Sequence, residues 1–137
     1  MSQLLDTGFL YALLNRKESR HADVMRASQT VRGKIFLPTV VTTEVAYLVQ
    51  RDLGSEALAE FLEMLATETF VLVEPLPEDF SRAATVVRQY TDSQIDFVDA
   101  ILVAIAERLN IKRVLTIDTR HFRMFRPKHC DAFQLLP

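Results

Sequence analysis

The sequence of 137 residues contains one cysteine, Cys130, and no tryptophan. A single cysteine excludes an intramolecular disulfide, and the three histidines are not spaced like a zinc-ligand set. The first residues lack a basic segment followed by an apolar one, so we expect no signal peptide. These features together predict a protein of the reducing cytosol.

Long apolar runs and flexible linkers are also lacking. The longest apolar run, 97–106, is interrupted by Asp99 and is too short to cross a bilayer, so we expect no membrane segment. Three glycines and five prolines leave little room for linkers. We therefore expect residues 1–137 to form a single domain with a core of its own.

An excess of basic charge is missing as well, because the formal net charge is -2. A domain that binds nucleic acid through charge alone is usually basic. Any action on RNA would therefore need a feature other than overall charge.

Short apolar runs alternate along the chain with longer amphipathic or apolar stretches. The pattern predicts strands at 3–5, 35–37, 70–73, 113–117 and 133–136, and helices at 9–15, 21–31, 42–53, 56–67, 78–90 and 97–109. Such alternation is typical of an α/β fold with a parallel sheet and helices on both faces.

Four acidic residues lie at equivalent ends of these elements. Asp6 directly follows the first strand and Asp118 follows strand 113–117, while Glu44 and Asp99 lie near the starts of two apolar helices. Because ligands bind beyond the carboxyl ends of parallel strands, we expect these four carboxylates to converge at one edge of the sheet.

Converging carboxylates repel one another, and burial raises the cost of their charge. A divalent cation removes that cost, and carboxylate oxygens suit Mg²⁺ or Mn²⁺. Such a cation activates water and polarises a phosphodiester. It would also let a chain of net negative charge act on RNA, because it turns an acidic pocket into a phosphate-binding one.

Each acid also has an ordinary structural interpretation. Asp96, three residues before Asp99, is either a further ligand or the N-cap of helix 97–109. Asp6 and Asp118 would also suit turns at strand ends, and Glu44 would suit a solvated helix face.

The polar residues after Asp118 leave two interpretations open. Arg120, Arg123 and Arg126 either contact RNA phosphates or form a solvated surface. His121 is a candidate for the rim of the site, with or without contact to the substrate.

Four segments carry a resemblance to a known family. Residues 5–14 (LDTGFLYALL), 43–45 (TEV), 96–106 (DFVDAILVAIA) and 115–122 (LTIDTRHF) resemble the motifs of PIN domains, especially VapC-type toxins of prokaryotic toxin–antitoxin pairs. The resemblance implies a three-layer α/β/α fold with a central, mainly parallel sheet of four to five strands. It also implies a Mg²⁺- or Mn²⁺-dependent endoribonuclease that hydrolyses RNA, with an antitoxin as partner and a tendency to form homodimers.

The resemblance also implies roles for individual residues. Asp6, Glu44 and Asp99 match the core metal-binding acids, Asp118 matches the fourth acid, and Asp96 matches a frequent additional acid.

Two threonines and one arginine complete this resemblance. Thr7 and Thr116 match hydroxyl residues that orient carboxylates or water. Arg120 stands where many relatives carry a further polar or acidic residue, which leaves the number of metal ions open.

Two rival functions are compatible with the same acids. One is another metal-dependent phosphoryl-transfer enzyme, such as a flap-type DNA nuclease or a phosphatase. A phosphatase with an aspartyl nucleophile would usually carry a second Asp at position 8, where this chain has Gly8. The other is a non-catalytic module whose acidic pocket binds an arginine of a partner.

Overall fold

The computed structural model describes all residues from Met1 to Pro137 and contains five strands and seven helices. The strands are β1 (Ser2–Leu5), β2 (Lys34–Pro38), β3 (Val71–Val73), β4 (Arg113–Leu115) and β5 (Gln134–Leu136). The helices are α1 (Thr7–Leu14), α2 (His21–Thr30), α3 (Thr39–Leu53), α4 (Ser55–Leu65), α5 (Pro77–Gln89), α6 (Phe97–Leu109) and α7 (Thr119–Met124). A single 3₁₀ turn, Thr91–Ser93, joins α5 to the segment before α6.

All five strands belong to one sheet in the order β3-β2-β1-β4-β5. Every neighbouring pair is parallel, so the predicted α/β fold with a central parallel sheet is confirmed. Strands β2 and β3 extend the sheet on one side of β1, and the later strands β4 and β5 extend it on the other side. The boundary between β1 and β4 is therefore the switch point at which such folds place their ligands.

The core is built around β1 and α6. Leu4 and Leu5 of β1 are buried, and so is every residue of α6 from Val98 to Ala106. Burial on all sides explains why α6 has no polar face. None of the seven helices combines the length and apolar composition that crossing a bilayer requires.

The ends of α6 agree with the prediction because both carry strong local signals. Asp96 is its N-cap, and Asn110 ends it in the left-handed conformation with φ 56°. Asparagine tolerates this conformation better than most residues do.

One helix was not predicted, and most element boundaries differ from the predictions by one to three residues. The six-residue helix α7 was not expected, because a polar segment this short shows no periodicity. Strand β4 ends at Leu115, since the Thr116 hydroxyl accepts the backbone N–H of Asp118 and turns the chain. Helix α3 begins at Thr39, because burial of Val41 overrides the low helix propensity of its β-branched first turn.

Candidate active site

The carboxyl end of β1 delivers Asp6 to the switch point. Asp6 is the N-cap of α1, and its Oδ1 accepts a 2.8 Å hydrogen bond from the backbone N–H of Thr7. The helix starts close to the segment after β4, because a Cβ on Gly8 would lie 2.9 Å from Cγ1 of Ile117. Only glycine fits at position 8 without displacing Ile117, the neighbour of Asp118.

The wholly buried Thr116 joins Asp6 to the segment after β4. Its hydroxyl donates a 2.7 Å hydrogen bond to Oδ2 of Asp6 and accepts one of 2.9 Å from the backbone N–H of Asp118. One side chain therefore orients the first acid and fixes the backbone of the fourth.

The start of α6 carries two acids in a capping box. Oδ1 of Asp96 accepts a 2.9 Å hydrogen bond from the backbone N–H of Asp99, and the backbone N–H of Asp96 donates to Oδ2 of Asp99 at 3.4 Å. The N-cap interpretation of Asp96 is thus confirmed, although the residue also lines the pocket described below. Asp99 is buried, whereas Asp96 is exposed.

Asp118 is the N-cap of α7, and both of its carboxylate oxygens contact His121. Oδ1 accepts a 3.1 Å hydrogen bond from the backbone N–H of His121, and Oδ2 lies 2.9 Å from Nδ1 of the ring. The same Nδ1 lies 3.3 Å from Oδ2 of Asp99. His121 therefore contacts two of the acids, although it is not among the residues that line the pocket described below.

These elements enclose a cavity of about 250 Å³. Its lining contains all five acids proposed from the sequence, Asp6, Glu44, Asp96, Asp99 and Asp118. The other lining residues are Thr7, Gly8, Val98 and Ile117. Glu44 reaches it from α3, is half-buried and makes no ion pair. Thr116 lies behind Asp6 rather than in the lining. The structure thus brings residues from four separated segments into one pocket.

Burial dominates the electrostatics of the two central acids. It raises the pKa of Asp6 from 3.8 to about 6, against the lowering effect of the hydrogen bonds from Thr116 and Thr7. Burial likewise raises the pKa of Asp99 to about 7, and the charges of Asp96 and Asp6 add to this effect. Both shifts show that the pocket disfavours the negative charge it contains.

The pocket has the donor set of a divalent cation site. None of its five acids forms an ion pair with a lysine or an arginine. The hydroxyl of Thr7, which lines the pocket, is buried and has no hydrogen-bond partner. Ligand atoms of Asp99, Asp118 and His121 lie within 4.8 Å of one another. Unbalanced carboxylates and an unpartnered hydroxyl therefore fit a hard divalent ion and its water.

Reasoning from the sequence named His121 as a candidate for the rim and did not predict its contacts with Asp99 and Asp118. The available signal was its position three residues after Asp118, which places both side chains on one face of a helical turn.

The arginines that follow Asp118 differ in their surroundings. Nη1 of Arg126 donates to the backbone carbonyls of Arg123, Met124 and Phe125, whereas Arg120 is exposed. Arg126 thus has a structural role at the end of α7, and Arg120 is free to meet a ligand.

Comparison with known proteins gives a family and several relatives. A profile of the family described as PIN domain matches residues 4–126. The chain is 30% identical to a Mycobacterium tuberculosis protein named Ribonuclease VapC26, over 98% of this chain and 99% of that protein. The fold of this chain is similar to that of VapC20 of Mycobacterium tuberculosis, which is described as a sarcin-ricin loop cleaving toxin. That similarity has a TM-score of 0.77 at 20% identity and covers 82% of this chain and 86% of the other.

A second solved structure, a toxin–antitoxin complex from Klebsiella pneumoniae, has a chain of similar fold. The TM-score is 0.67 at 19% identity, over 90% of this chain and 92% of the other. The likeness therefore extends over the sheet and the helices on both of its faces.

Proposed function

Because the chain belongs to the PIN domain family, we propose that it is a metal-dependent endoribonuclease that hydrolyses RNA phosphodiester bonds. The observation that carries the proposal is the convergence of five carboxylates, without a balancing lysine or arginine, at the switch point of the sheet. The relative named Ribonuclease VapC26 matches this chain over nearly its whole length, which supports RNA as the substrate.

The cation that we propose for this pocket is Mg²⁺ or Mn²⁺. Asp6, Glu44 and Asp99 would hold it directly or through water, and Asp96 and Asp118 would complete its surroundings. When bound, such a cation activates water, polarises the phosphodiester and stabilises the leaving oxygen.

The chain's own residues orient the acids of the pocket. Thr116 holds Oδ2 of Asp6 and Thr7 holds Oδ1 through its backbone, so the carboxylate cannot rotate away from the pocket. Asp96, which fixes the first turn of α6, holds Asp99 in place.

The test of this function replaces a carboxylate by its uncharged isostere. Asp6→Asn and Asp99→Asn should each abolish Mn²⁺-dependent cleavage of RNA, while circular dichroism shows an intact fold. Glu63→Gln, an exposed acid on α4, is the matched control and should cleave at the rate of the unchanged protein. If either pocket variant cleaved RNA at the rate of the wild-type protein, this pocket would not be the active site.

The substrate is tested separately, since two rival functions share the acids. Cleavage in the presence of Mn²⁺ is measured on RNA, on single-stranded and flap DNA, and on small phosphate esters. Cleavage of DNA or of esters in preference to RNA would favour another phosphoryl-transfer enzyme. Binding of a partner's arginine without cleavage of any of these substrates would favour the acidic binding module.

The proposed partner is an antitoxin protein, and the proposed assembly of the chain by itself is a homodimer. Several solved structures of similar fold are described as toxin–antitoxin or VapBC complexes. An antitoxin that covers the pocket should abolish cleavage at equimolar ratio. Light scattering of the isolated chain tests the dimer, and a mass of 15.7 kDa would contradict it.

The single domain over residues 1–137 is also part of the proposal. The family match covers residues 4–126, and β5 extends the same sheet to Leu136. A single cooperative unfolding transition would be expected from such a chain.

A further inference from the structure

We propose that His121 is a nitrogen ligand of the cation in this pocket and gives the site a preference for Mn²⁺ over Mg²⁺. The inference rests on the proposed function, since it concerns the same cation. It adds a ligand that neither the acidic pattern of the sequence nor the resemblance to the family implies.

The position of the ring is the first observation. Nδ1 of His121 lies 2.9 Å from Oδ2 of Asp118 and 3.3 Å from Oδ2 of Asp99. The ligand atoms of the three residues lie within 4.8 Å of one another, so a single ion can contact all of them. The ring is only 20% exposed, and the helix that carries it is capped by Asp118 itself.

The other ring nitrogen determines what Nδ1 can do. Nε2 lies 3.2 Å from the backbone carbonyl oxygen of Ser93, which can only accept a hydrogen bond. A hydrogen on Nε2 would donate to this carbonyl, and in neutral imidazole that tautomer leaves the lone pair of Nδ1 facing the two carboxylates. A histidine that binds a metal through one nitrogen usually donates its other N–H to a carbonyl or carboxylate in this way.

The arrangement is unfavourable without a positive charge between the three groups. If Nδ1 carries a lone pair, it faces two anionic carboxylate oxygens. If Nδ1 carries the hydrogen, the lone pair of Nε2 faces the carbonyl oxygen of Ser93. Only a cation at Nδ1, or hydrogens on both nitrogens, satisfies both sides of the ring. The experiment must therefore separate metal ligation from hydrogen bonding.

A second observation points to a ligand independently of His121. Thr7 lines the same pocket as Asp99 and Asp118, and its buried hydroxyl has no hydrogen-bond partner. A buried polar atom that is left unpaired costs free energy, so a bound group that this hydroxyl could reach would be stabilised by it.

Nitrogen ligation has a chemical consequence for the choice of ion. Mg²⁺ prefers oxygen ligands in near-ideal octahedral geometry, and imidazole suits first-row transition ions such as iron and zinc. Mn²⁺ shares the preference of Mg²⁺ for carboxylates but is itself a first-row transition ion, so a nitrogen ligand disfavours it less than Mg²⁺. The three donors of Asp99, Asp118 and His121 would therefore select Mn²⁺ when both ions compete.

Pulsed electron paramagnetic resonance of the full chain loaded with Mn²⁺ tests the contact directly. The unchanged protein should show coupling of the Mn²⁺ spin to a nitrogen, and ¹⁵N-histidine labelling should shift that coupling. His121→Asn should lose it, whereas His21→Asn should keep it, because the His21 ring contacts the carbonyl of Ala12 outside the pocket.

Competition titrations measure the predicted preference. In His121→Asn, Mn²⁺ affinity should fall by at least about tenfold, as is usual when a metal-site partner is lost, and Mg²⁺ affinity should fall by clearly less. Equal losses for both ions would overturn the preference.

The outcomes separate this inference from the proposed function. If Mn²⁺ binds and RNA is cleaved without nitrogen coupling in the unchanged protein, His121 is only a hydrogen-bond partner of Asp118, and the nuclease proposal stands. If neither ion binds in the pocket, both proposals fail.

Discussion

The hydroxyl of Thr116 donates a 2.7 Å hydrogen bond to the carboxylate of Asp6 across two neighbouring central strands, from a position 110 residues later in the chain. The two side chains are buried at the carboxyl ends of β4 and β1. Because the same hydroxyl accepts the backbone N–H of Asp118, it couples the orientation of two acids that lie far apart in the sequence.

Replacing Thr116 by valine keeps the shape of the side chain and removes the hydroxyl. Oδ2 of Asp6 and the backbone N–H of Asp118 then lose their partner, which should cost about 1–3 kcal/mol of unfolding free energy. Affinity for Mn²⁺ should fall by about tenfold or more, because an outer partner of a ligand has been removed. Denaturant unfolding and calorimetric titration measure the two effects.

Thr116→Ser is the matched control, since it keeps the hydroxyl and loses only a methyl group. It should retain most of the Mn²⁺ affinity. If the serine variant lost as much affinity as the valine variant, packing rather than the hydrogen bond would be responsible.

The raised pKa values of Asp6 and Asp99 predict how stability depends on pH without metal. The folded chain keeps protons on these acids up to about pH 6 and 7, whereas the unfolded chain releases them near 3.8. Their contribution to stability is therefore present below pH 4 and is lost as the pH rises through 6 to 7.

Asp99→Asn isolates this contribution from that of the other acids. In the presence of a chelator, the variant should unfold at nearly the same temperature as the unchanged protein at pH 4. At pH 8 it should be more stable, by an amount on the order of 2 kcal/mol. Saturating Mn²⁺ should reverse the order at pH 8. A variant that is less stable at pH 8 without metal would contradict the burial of an unfavourable charge.

Asp96 combines two roles that a pair of substitutions separates. Serine can cap a helix but carries no charge, so Asp96→Ser should change stability little while weakening Mn²⁺ binding. Asp96→Ala removes the acceptor for the backbone N–H of Asp99 and should cost about 1 kcal/mol in addition. Thermal unfolding and metal titration of both variants provide the test. Unchanged Mn²⁺ affinity in the serine variant would leave Asp96 as a cap alone.

The sequence predicted the sheet, the position of α6 and the set of pocket acids because each has a local signal. Helix 97–109 is apolar over most of its length and carries a capping residue at each end, so its bounds were predicted to the residue. The acids Asp6 and Asp118 follow apolar strands, and parallel topology alone brings them to one edge.

Features that depend on tertiary distance were not accessible in the same way. Whether the ring of His121 meets Asp99 depends on how α7 packs against the start of α6, and α7 itself has too few residues for a periodic pattern. The partner of Thr116 was equally hidden, because a hydroxyl in a strand gives no sign of which neighbouring carboxylate it will meet.

A buried ion pair holds α5 against the far end of α6 and should govern stability without affecting the pocket. Nη2 of Arg108 lies 2.9 Å from Oδ2 of Asp79, a carboxylate that is only 2% exposed and that also accepts the backbone N–H of Leu76. Arg108→Met would leave this carboxylate buried without its cation, which should cost about 3 kcal/mol. Arg88→Met, at an exposed position of α5 without an ion pair, should have little effect.

A double variant separates loss of the pair from loss of packing. Asp79→Asn combined with Arg108→Met removes the stranded charge and keeps an acceptor for the backbone N–H of Leu76. It should therefore recover much of the stability lost by Arg108→Met alone. RNA cleavage well below the unfolding temperature should be unchanged in both variants, because Arg108 lies in the last turn of α6 and Asp99 in the first. A double variant less stable than the single one would show that the methionine is poorly packed rather than that the carboxylate lacks its partner.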